Sequence, residues 1–533
     1  MDKLFYNGKI FTMDNERPQV NAIGTKGEKI CFAGNIESAD EIEAKEKFDL
    51  GGRCVLPGFN DSHMHLAIYS FANNNARTFD CRSVQDCLDT IAAYRKERPE
   101  ATWIYGRGWN EQNFDGEKRY PTKEELDAVC SDVPVMIVRA CGHAAVCNSK
   151  AMEKIVKLPQ AAQMPDRVHP ESGVVAEAGV KLFYSVIDEP SSAYVKDLLM
   201  KGMEDLLKKG ITTCQSDDLL SVPGCGWEKV LGAYFELARE KSMKVRIYEQ
   251  CLFLNQEEFE KFLAKGYRTG NGDDYFKIGP LKLLLDGSLG ARTAALNVPY
   301  VGTDDNYGIL VFSQEEMDKL VETAHASGMQ IAVHCIGDRA MDVMLSAVEK
   351  AQKKYPRKDC RHGIVHAQLT HFSTLDRMKA DDVIAYIQPV FVGTDMDIVE
   401  ARVGKSWMQE TYAWKTMIDK GILTAGGSDA PVESFDVMEN IYFAVTRKRK
   451  DGTPEGGWLP EQKLSVYEAV EAFTTKAAKA CFQEDSIGKL APGMNADAVV
   501  LAKNLFDVPQ DEIKDIKVLA TIVGGKIAYG SLD

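Results

Sequence analysis

What this 533-residue chain has little of narrows its function before any motif is read. It has no surplus of positive charge: 64 Lys and Arg stand against 79 Asp and Glu, a formal net charge of −15. Proteins that bind nucleic acid carry a basic footprint, so the balance argues against such a partner. The short basic run Arg447-Lys448-Arg449-Lys450 reads as a solvated loop edge. No uncharged apolar run is long enough to cross a bilayer, which argues against a membrane role. The opening Met1-Asp2-Lys3-Leu4-Phe5-Tyr6 leads into neither the apolar segment nor the small-residue cleavage site of a secretory signal. The thirteen cysteines are odd in number and include no Cys-x-x-Cys pair, so neither a disulfide framework nor a zinc ribbon is indicated. Buried thiols in a reducing compartment are expected, and the protein reads as cytoplasmic. Histidine is scarce as well, with nine in all.

The length exceeds one ordinary domain and suits a large barrel with insertions plus a smaller domain. From Gly58 onward, apolar runs alternate with amphipathic stretches, the pattern of a parallel α/β sheet. After the run that carries His63 and His65, seven more follow at 210–215, 245–250, 279–285, 330–334, 363–366, 383–389 and 422–426. Eight such strands predict a (β/α)8 TIM barrel over 56–484. About 68–192 is far more chain than a strand-to-helix loop needs, and reads as a large insertion over the mouth of the barrel. Short strands punctuated by Gly and Asn fill 1–55, with a charged helix-like stretch before Cys54, and the same texture returns in 485–533. Neither end is large enough to bury a core alone, so the two are expected to combine into one small composite β-sandwich domain.

The chemistry concentrates at predicted strand ends. In Leu56-Pro57-Gly58-Phe59-Asn60-Asp61-Ser62-His63-Met64-His65, two histidines two residues apart on a strand point the same way. They suit one metal ion, or simply hydrogen-bond locally. The fifth strand ends in His334, the sixth in His366 and the eighth at Asp429, so four of nine histidines fall at strand ends. Imidazole and carboxylate suit zinc and similar divalent metals, and catalysis in such barrels sits at this face. Lys282, in the fourth strand, either caps the strand in solvent or is a neutral amine able to take up carbon dioxide as a bridging carbamate. His325 falls within a helix, and His169, His362 and His371 lie off the strand tips. All four read as structural.

The ordered set Pro-Gly-Phe-x-Asp-x-His-x-His, strand-four Lys, two strand-end His and strand-eight Asp resembles the metal-dependent amidohydrolase superfamily. Gly108-Trp109-Asn110, Gly142-His143, Lys282 to Thr293, His334-Cys335-Ile336-Gly337-Asp338-Arg339-Ala340, Gly427-Ser428-Asp429-Ala430-Pro431 and Gly488-Lys489-Leu490-Ala491-Pro492-Gly493 narrow it. They resemble amidohydrolase family 3, the YtcJ-like branch that includes N-substituted formamide deformylases. The resemblance implies that His63, His65 and Asp429 hold one zinc-class ion and His334 and His366 a second, with carbamylated Lys282 between them. It implies a hydrolase of carbon–nitrogen bonds other than peptide bonds, acting on a small molecule. Metal-activated hydroxide would attack, with Asp429 as the proton shuttle. A homodimer is compatible with it.

Further residues have open roles. His143 would reach a substrate carbonyl or be satisfied by backbone. Trp109 would wall an apolar pocket or pack in a core. Arg292 and Asp338 would contact substrate or brace loops, and Glu177 has no derived role. The rival activity is a mononuclear-metal deaminase, which usually places a Glu three residues after the strand-five His, where this chain has Gly337. A non-catalytic scaffold is the third reading, weakened because every ligand is present.

Overall fold

The computed structural model describes residues 1–140 and 143–532. Eight parallel strands form the barrel sheet in chain order: β1 (Phe59–Met64), β2 (Ile211–Ser216), β3 (Arg246–Leu252), β4 (Phe276–Leu284), β5 (Ile331–Cys335), β6 (Gly363–His366), β7 (Ile384–Ile387) and β8 (Thr424–Gly426). The near-continuous burial of these strands matches a parallel sheet covered on both faces. Their helices include α1 (Gln314–Ala326) before β5 and α2 (Asp338–Lys354) after it. Beyond the strand ends, β8 is stitched to β1: Asp429 N donates to His63 O at 2.8 Å and Ser428 N to the buried Asp61 carboxylate at 3.0 Å. Gly427 makes that approach possible, because a Cβ there would lie 2.5 Å from His63 N.

Both termini build the expected sandwich. One sheet runs Lys29–Gly34, Ala22–Lys26, Lys3–Tyr6, Glu46–Asp49. The other runs Lys526–Gly530, Val518–Val523, Ala498–Leu501, Cys54–Pro57, Lys9–Phe11, Gln19–Val20, so three C-terminal strands join three N-terminal ones where Ala498–Leu501 pairs with Cys54–Pro57. Phe5, Ile23 and Ile30 of the first share a core with Ile10, Val55, Val500 and Ile522 of the second. The charged stretch expected to be helix-like holds instead a short 3-10 turn, Ala39–Glu41, and the edge strand Glu46–Asp49. Charged residues suit an exposed edge, and Phe48 anchors it by stacking on Phe5 at 5.1 Å.

The chain divides into two compact units. The barrel and sandwich form the first (Met1–Leu66, Gly202–Asp218, Tyr234–Asp533). The second is Ala67–Lys201 with Leu219–Ala233. This second unit has its own six-stranded mixed sheet, ordered Val168–His169, Val174–Ala176, Ala144–Cys147, Val135–Arg139, Ile104–Trp109, Ala76–Arg77, and its own apolar core. Among the described residues no helix is long and apolar enough to cross a membrane. Arg447 is no solvated edge: it is fully buried, its guanidinium 5.0 Å from the ring centroids of both Trp414 and Trp458, with Nε donating to Trp458 O at 2.8 Å. Indole faces and carbonyls replace the water that a cation needs.

Candidate metal centre

The side chains at the ends of β1, β5, β6 and β8 converge. The rings of His63 and His65 lie 5.1 Å apart, His63 and His366 5.8 Å, and His334 and His366 4.4 Å. One ligand atom each of His63, His366 and Asp429 lies within 4.8 Å of the others. Two of these positions are backbone outliers, His366 at φ 81° and Asp429 at φ 60°. The left-handed region costs a side-chain-bearing residue energy, and such strain gathers at functional sites.

Hydrogen bonds fix which nitrogen each ring presents. Gln250 donates its Nε2 to Ser62 O, so its Oε1 accepts from His63 Nδ1 at 2.7 Å. Gln388 donates to Tyr386 O, so its Oε1 accepts from His366 Nδ1 at 2.8 Å. Asp286 Oδ1 accepts from His334 Nδ1 at 2.9 Å. With Nδ1 as the donor, each neutral ring keeps its Nε2 lone pair, the arrangement in which a histidine ligates metal. Burial pushes His63 down to about 3 and His366 well below the ordinary range, so both are neutral.

The consequence is chemical. The bare Nε2 of His63 faces Asp429 Oδ1 at 3.3 Å, two acceptors with no proton between them. His65 behaves differently: its Nδ1 lies 3.3 Å from Asp217 O and its Nε2 3.1 Å from Asp429 Oδ1, so both ring nitrogens face acceptors. Burial opposes charge on His65, but the Asp429 hydrogen bond and the Asp217 charge outweigh it and raise its pKa. Asp429 is held well below the carboxylate range: burial opposes ionisation, and the neighbouring rings of His63 and His65 prevail. Three bare imidazole nitrogens and an ionised carboxylate fit a divalent cation.

Lys282 is no solvated cap. It is fully buried on β4, its Nζ has no hydrogen-bond partner among the described residues, and the nearest carboxylate oxygen, Asp217 Oδ2, is 3.8 Å away. Burial lowers its pKa, the direction that frees the amine for carbamate formation.

The remaining candidates separate. Asp338 opens α2, and its carboxylate accepts from Asn297 N and Nδ2 and from Arg339 N, with His371 Nε2 at 3.4 Å, so it braces loops. Arg292 follows β4 with φ 56°, its Nε buried without a partner among the described residues. In the second unit, Trp109 is no pocket wall. It is fully buried in that unit's core, its Nε1 donating to Ile137 O at 3.2 Å, because an indole that large supplies more apolar area than a six-stranded sheet can leave exposed. His143 is exposed and donates from Nδ1 to Glu177 Oε2 at 3.0 Å, which gives Glu177 a partner. Gly142 lies outside the described residues. Sequence reading missed Gln250 and Gln388, although each is a polar residue near the C-terminal end of a barrel strand, the same signal that marked the histidines.

A barrel with this cluster at its strand ends defines a metal-dependent hydrolase. Residues 46–529 match the model of the amidohydrolase family, and the chain belongs to that family. It is 30% identical over 544 residues to YtcJ of Bacillus subtilis (strain 168), covering 99% of each chain. It is 23% identical over 557 residues to the N-substituted formamide deformylase of Arthrobacter pascens, covering 99% of this chain and 98% of that one. An uncharacterized metal-dependent hydrolase from Pyrococcus horikoshii OT3 superposes with a TM-score of 0.80 at 28% identity, over 95% of this chain and 99% of the other.

Proposed function

We propose that the protein hydrolyses an amide-like carbon–nitrogen bond of a small molecule. The observation that carries the reading is the set of Nδ1-anchored histidines around Asp429, with the unpartnered Lys282 amine on the neighbouring strand. Similarity to a formamide deformylase along its whole length supports the choice of bond. His63, His65 and Asp429 would hold one zinc-class ion, and His334 and His366 another, with Lys282 as its carbamate between them. When bound, such ions supply Lewis acidity that acidifies water and polarises a carbonyl. Asp429, ionised at neutral pH, takes the proton of the attacking water and returns it to the departing nitrogen. A carbon–oxygen bond forms, the carbon–nitrogen bond breaks, and a carboxylate and an amine leave. Arg292 would contact substrate through its Nε, buried without a partner among the described residues.

The test is metal content of protein prepared without chelators, with intact mass measured under bicarbonate. Two zinc-class equivalents that vanish together in Lys282→Ala, and a labile mass increment on Lys282, are expected. A single equivalent unaffected by that change, with ammonia released instead of carboxylate, would turn the reading to a deaminase. No bound metal after reconstitution would end the catalytic reading.

A further inference from the structure

His325 and His362 lie off the catalytic strand ends and were expected to be structural. His325 sits in the last turn of α1, before β5 begins, and His362 immediately precedes β6. Both therefore belong to the end of the barrel where strands start, away from the ends that carry His334 and His366. They are not isolated. One ligand atom each of His325, Cys360 and His362 lies within 4.8 Å of the other two. His325 is fully buried and His362 is 3% exposed, while Cys360 is half-buried at the rim.

The hydrogen bonds leave this trio incompletely satisfied. His325 Nε2 donates to Tyr355 O at 2.7 Å, so the Nδ1 of the neutral ring is an acceptor. That Nδ1 meets His362 Nε2 at 2.8 Å, which must then be the donor. His362 Nδ1 is left as a buried lone pair with no partner among the described residues. Such an orphan is costly in a core. Cys360 Sγ has only a long contact of 4.0 Å, to Gln352 Oε1. Burial lowers the pKa of both histidines, that of His362 to about 3, so both are neutral donors of electron pairs.

The surrounding loop is rigid enough to hold a ligand set. Arg357 Nη1 donates to His325 O at 2.7 Å and to Met329 O at 3.0 Å. Between Cys360 and His362, Arg361 is paired with both Asp359 and Glu484. The carbonyl of Tyr355 on His325 Nε2 is the outer-sphere partner that fixes a ligating imidazole.

We propose that His325, Cys360 and His362 form a second, separate metal site for a borderline-soft divalent cation of the zinc class. It would staple the end of α1 to the loop entering β6. Two imidazoles and a thiolate are the donors zinc prefers. Nitrogens bound to one tetrahedral ion at about 2.0–2.1 Å each sit roughly 3.3 Å apart. The pair at 2.8 Å therefore needs to open by only about half an ångström. Binding breaks the shared imidazole hydrogen bond, shifts the His362 proton from Nε2 to the free Nδ1 so that Nε2 can ligate, and releases the thiol proton, so affinity rises with pH.

Cobalt(II) loading tests the proposal, because no ligand of the catalytic cluster is a cysteine. Loaded wild type should show a near-ultraviolet thiolate-to-cobalt band. It should bind one equivalent that Lys282→Ala retains and Cys360→Ser loses, together with the band. Zinc added to protein already loaded at the strand-end centre should raise the thermal midpoint of wild type further and leave that of equally loaded Cys360→Ser unmoved. Absence of the band, or a Cys360→Ser protein with the same band and equivalents as wild type, would overturn the site. Should Cys360→Ser fail to fold, peptide mapping of wild type after alkylation decides: Cys360 protected by zinc supports the site, and equal modification with and without zinc removes it.

Discussion

Asp286 accepts four hydrogen bonds, from His334 Nδ1, Ala295 N, Ile336 N and Gly337 N. Its replacement separates two effects. Asp286→Asn keeps the volume, but its amide faces either His334 Nδ1 and Ile336 N or Ala295 N and Gly337 N, so metal affinity is expected to fall about 10–100-fold with a smaller loss of stability than in the alanine variant. Asp286→Ala strands three buried N–H groups as well and should cost about 3 kcal/mol or more. Metal titration beside denaturant unfolding reads both, and equal affinity in all three proteins would remove Asp286 from the centre. Asp395 gives a pH prediction. Burial raises its pKa from 3.8 to about 6, against the hydrogen bond from Tyr412. Between those values the folded state holds the proton more tightly than the unfolded chain. That stability is complete below about pH 3.8 and is lost as pH rises through 6. Asp395→Asn mimics the protonated form, so its advantage over wild type should grow from about pH 4 to 6 and level off at no more than about 3 kcal/mol. Thermal midpoints across pH 4–8 check it, and a constant difference would refute the assignment. At this scale the candidate ligands were legible, because His63, His334 and His366 sit at one end of barrel strands and Asp429 just beyond β8. Their anchors were less so. Nothing in the order of residues says that Gln250 and Gln388 turn an oxygen toward a ring, since that depends on which carbonyl captures each amide.

Among the elements, the meeting of β8 with β1 rests on the missing side chain of Gly427, where an added Cβ would sit 2.5 Å from His63 N and 3.0 Å from Asp61 Oδ1. Gly427→Ala should push Asp429 away from His63, destabilise by about 1–3 kcal/mol and weaken metal binding. An unchanged midpoint and metal content would show that the closure tolerates the wider spacing. Most barrel strands were readable because they are apolar runs of strand length set between amphipathic stretches. Glu46–Asp49 was not, because its charges carry a helix-like texture while its strand geometry comes from pairing with Lys3–Tyr6. The sheet of the second unit was hidden for a similar reason. Its strands are two to six residues long, too short to carry a clear alternation, and helices separate several of them in the chain.

On the scale of the whole molecule, the buried pair Arg246–Asp497 joins β3 to the residue before the sandwich strand Ala498–Leu501. Nε and Nη2 donate at 2.7 and 3.2 Å, and Gly524 N shares the same carboxylate. Asp497→Ala leaves the guanidinium uncompensated and is expected to cost about 3–5 kcal/mol. Substituting both partners with apolar residues should recover much of that loss in urea unfolding, and a single mutant as stable as wild type would contradict this. The composite architecture was legible from the matching texture of the two ends. The internal core of the second unit was not, because the segment carries no repeat and no periodic pattern long enough to announce one.

The strand Cys54–Pro57 lies between Lys9–Phe11 and Ala498–Leu501 in one sheet, and Gly58 leads directly from it into β1. On the ribosome these neighbours are separated in time. The partner at Ala498 is made about 440 residues after Pro57, which at roughly 5–20 residues per second is a delay of about 20–90 s. Through that interval the nascent chain shows an unpaired apolar edge beside β1. The segment that covers it, Ala498–Leu501, is made long after it, so a message truncated before that point yields a chain with an open, aggregation-prone sheet.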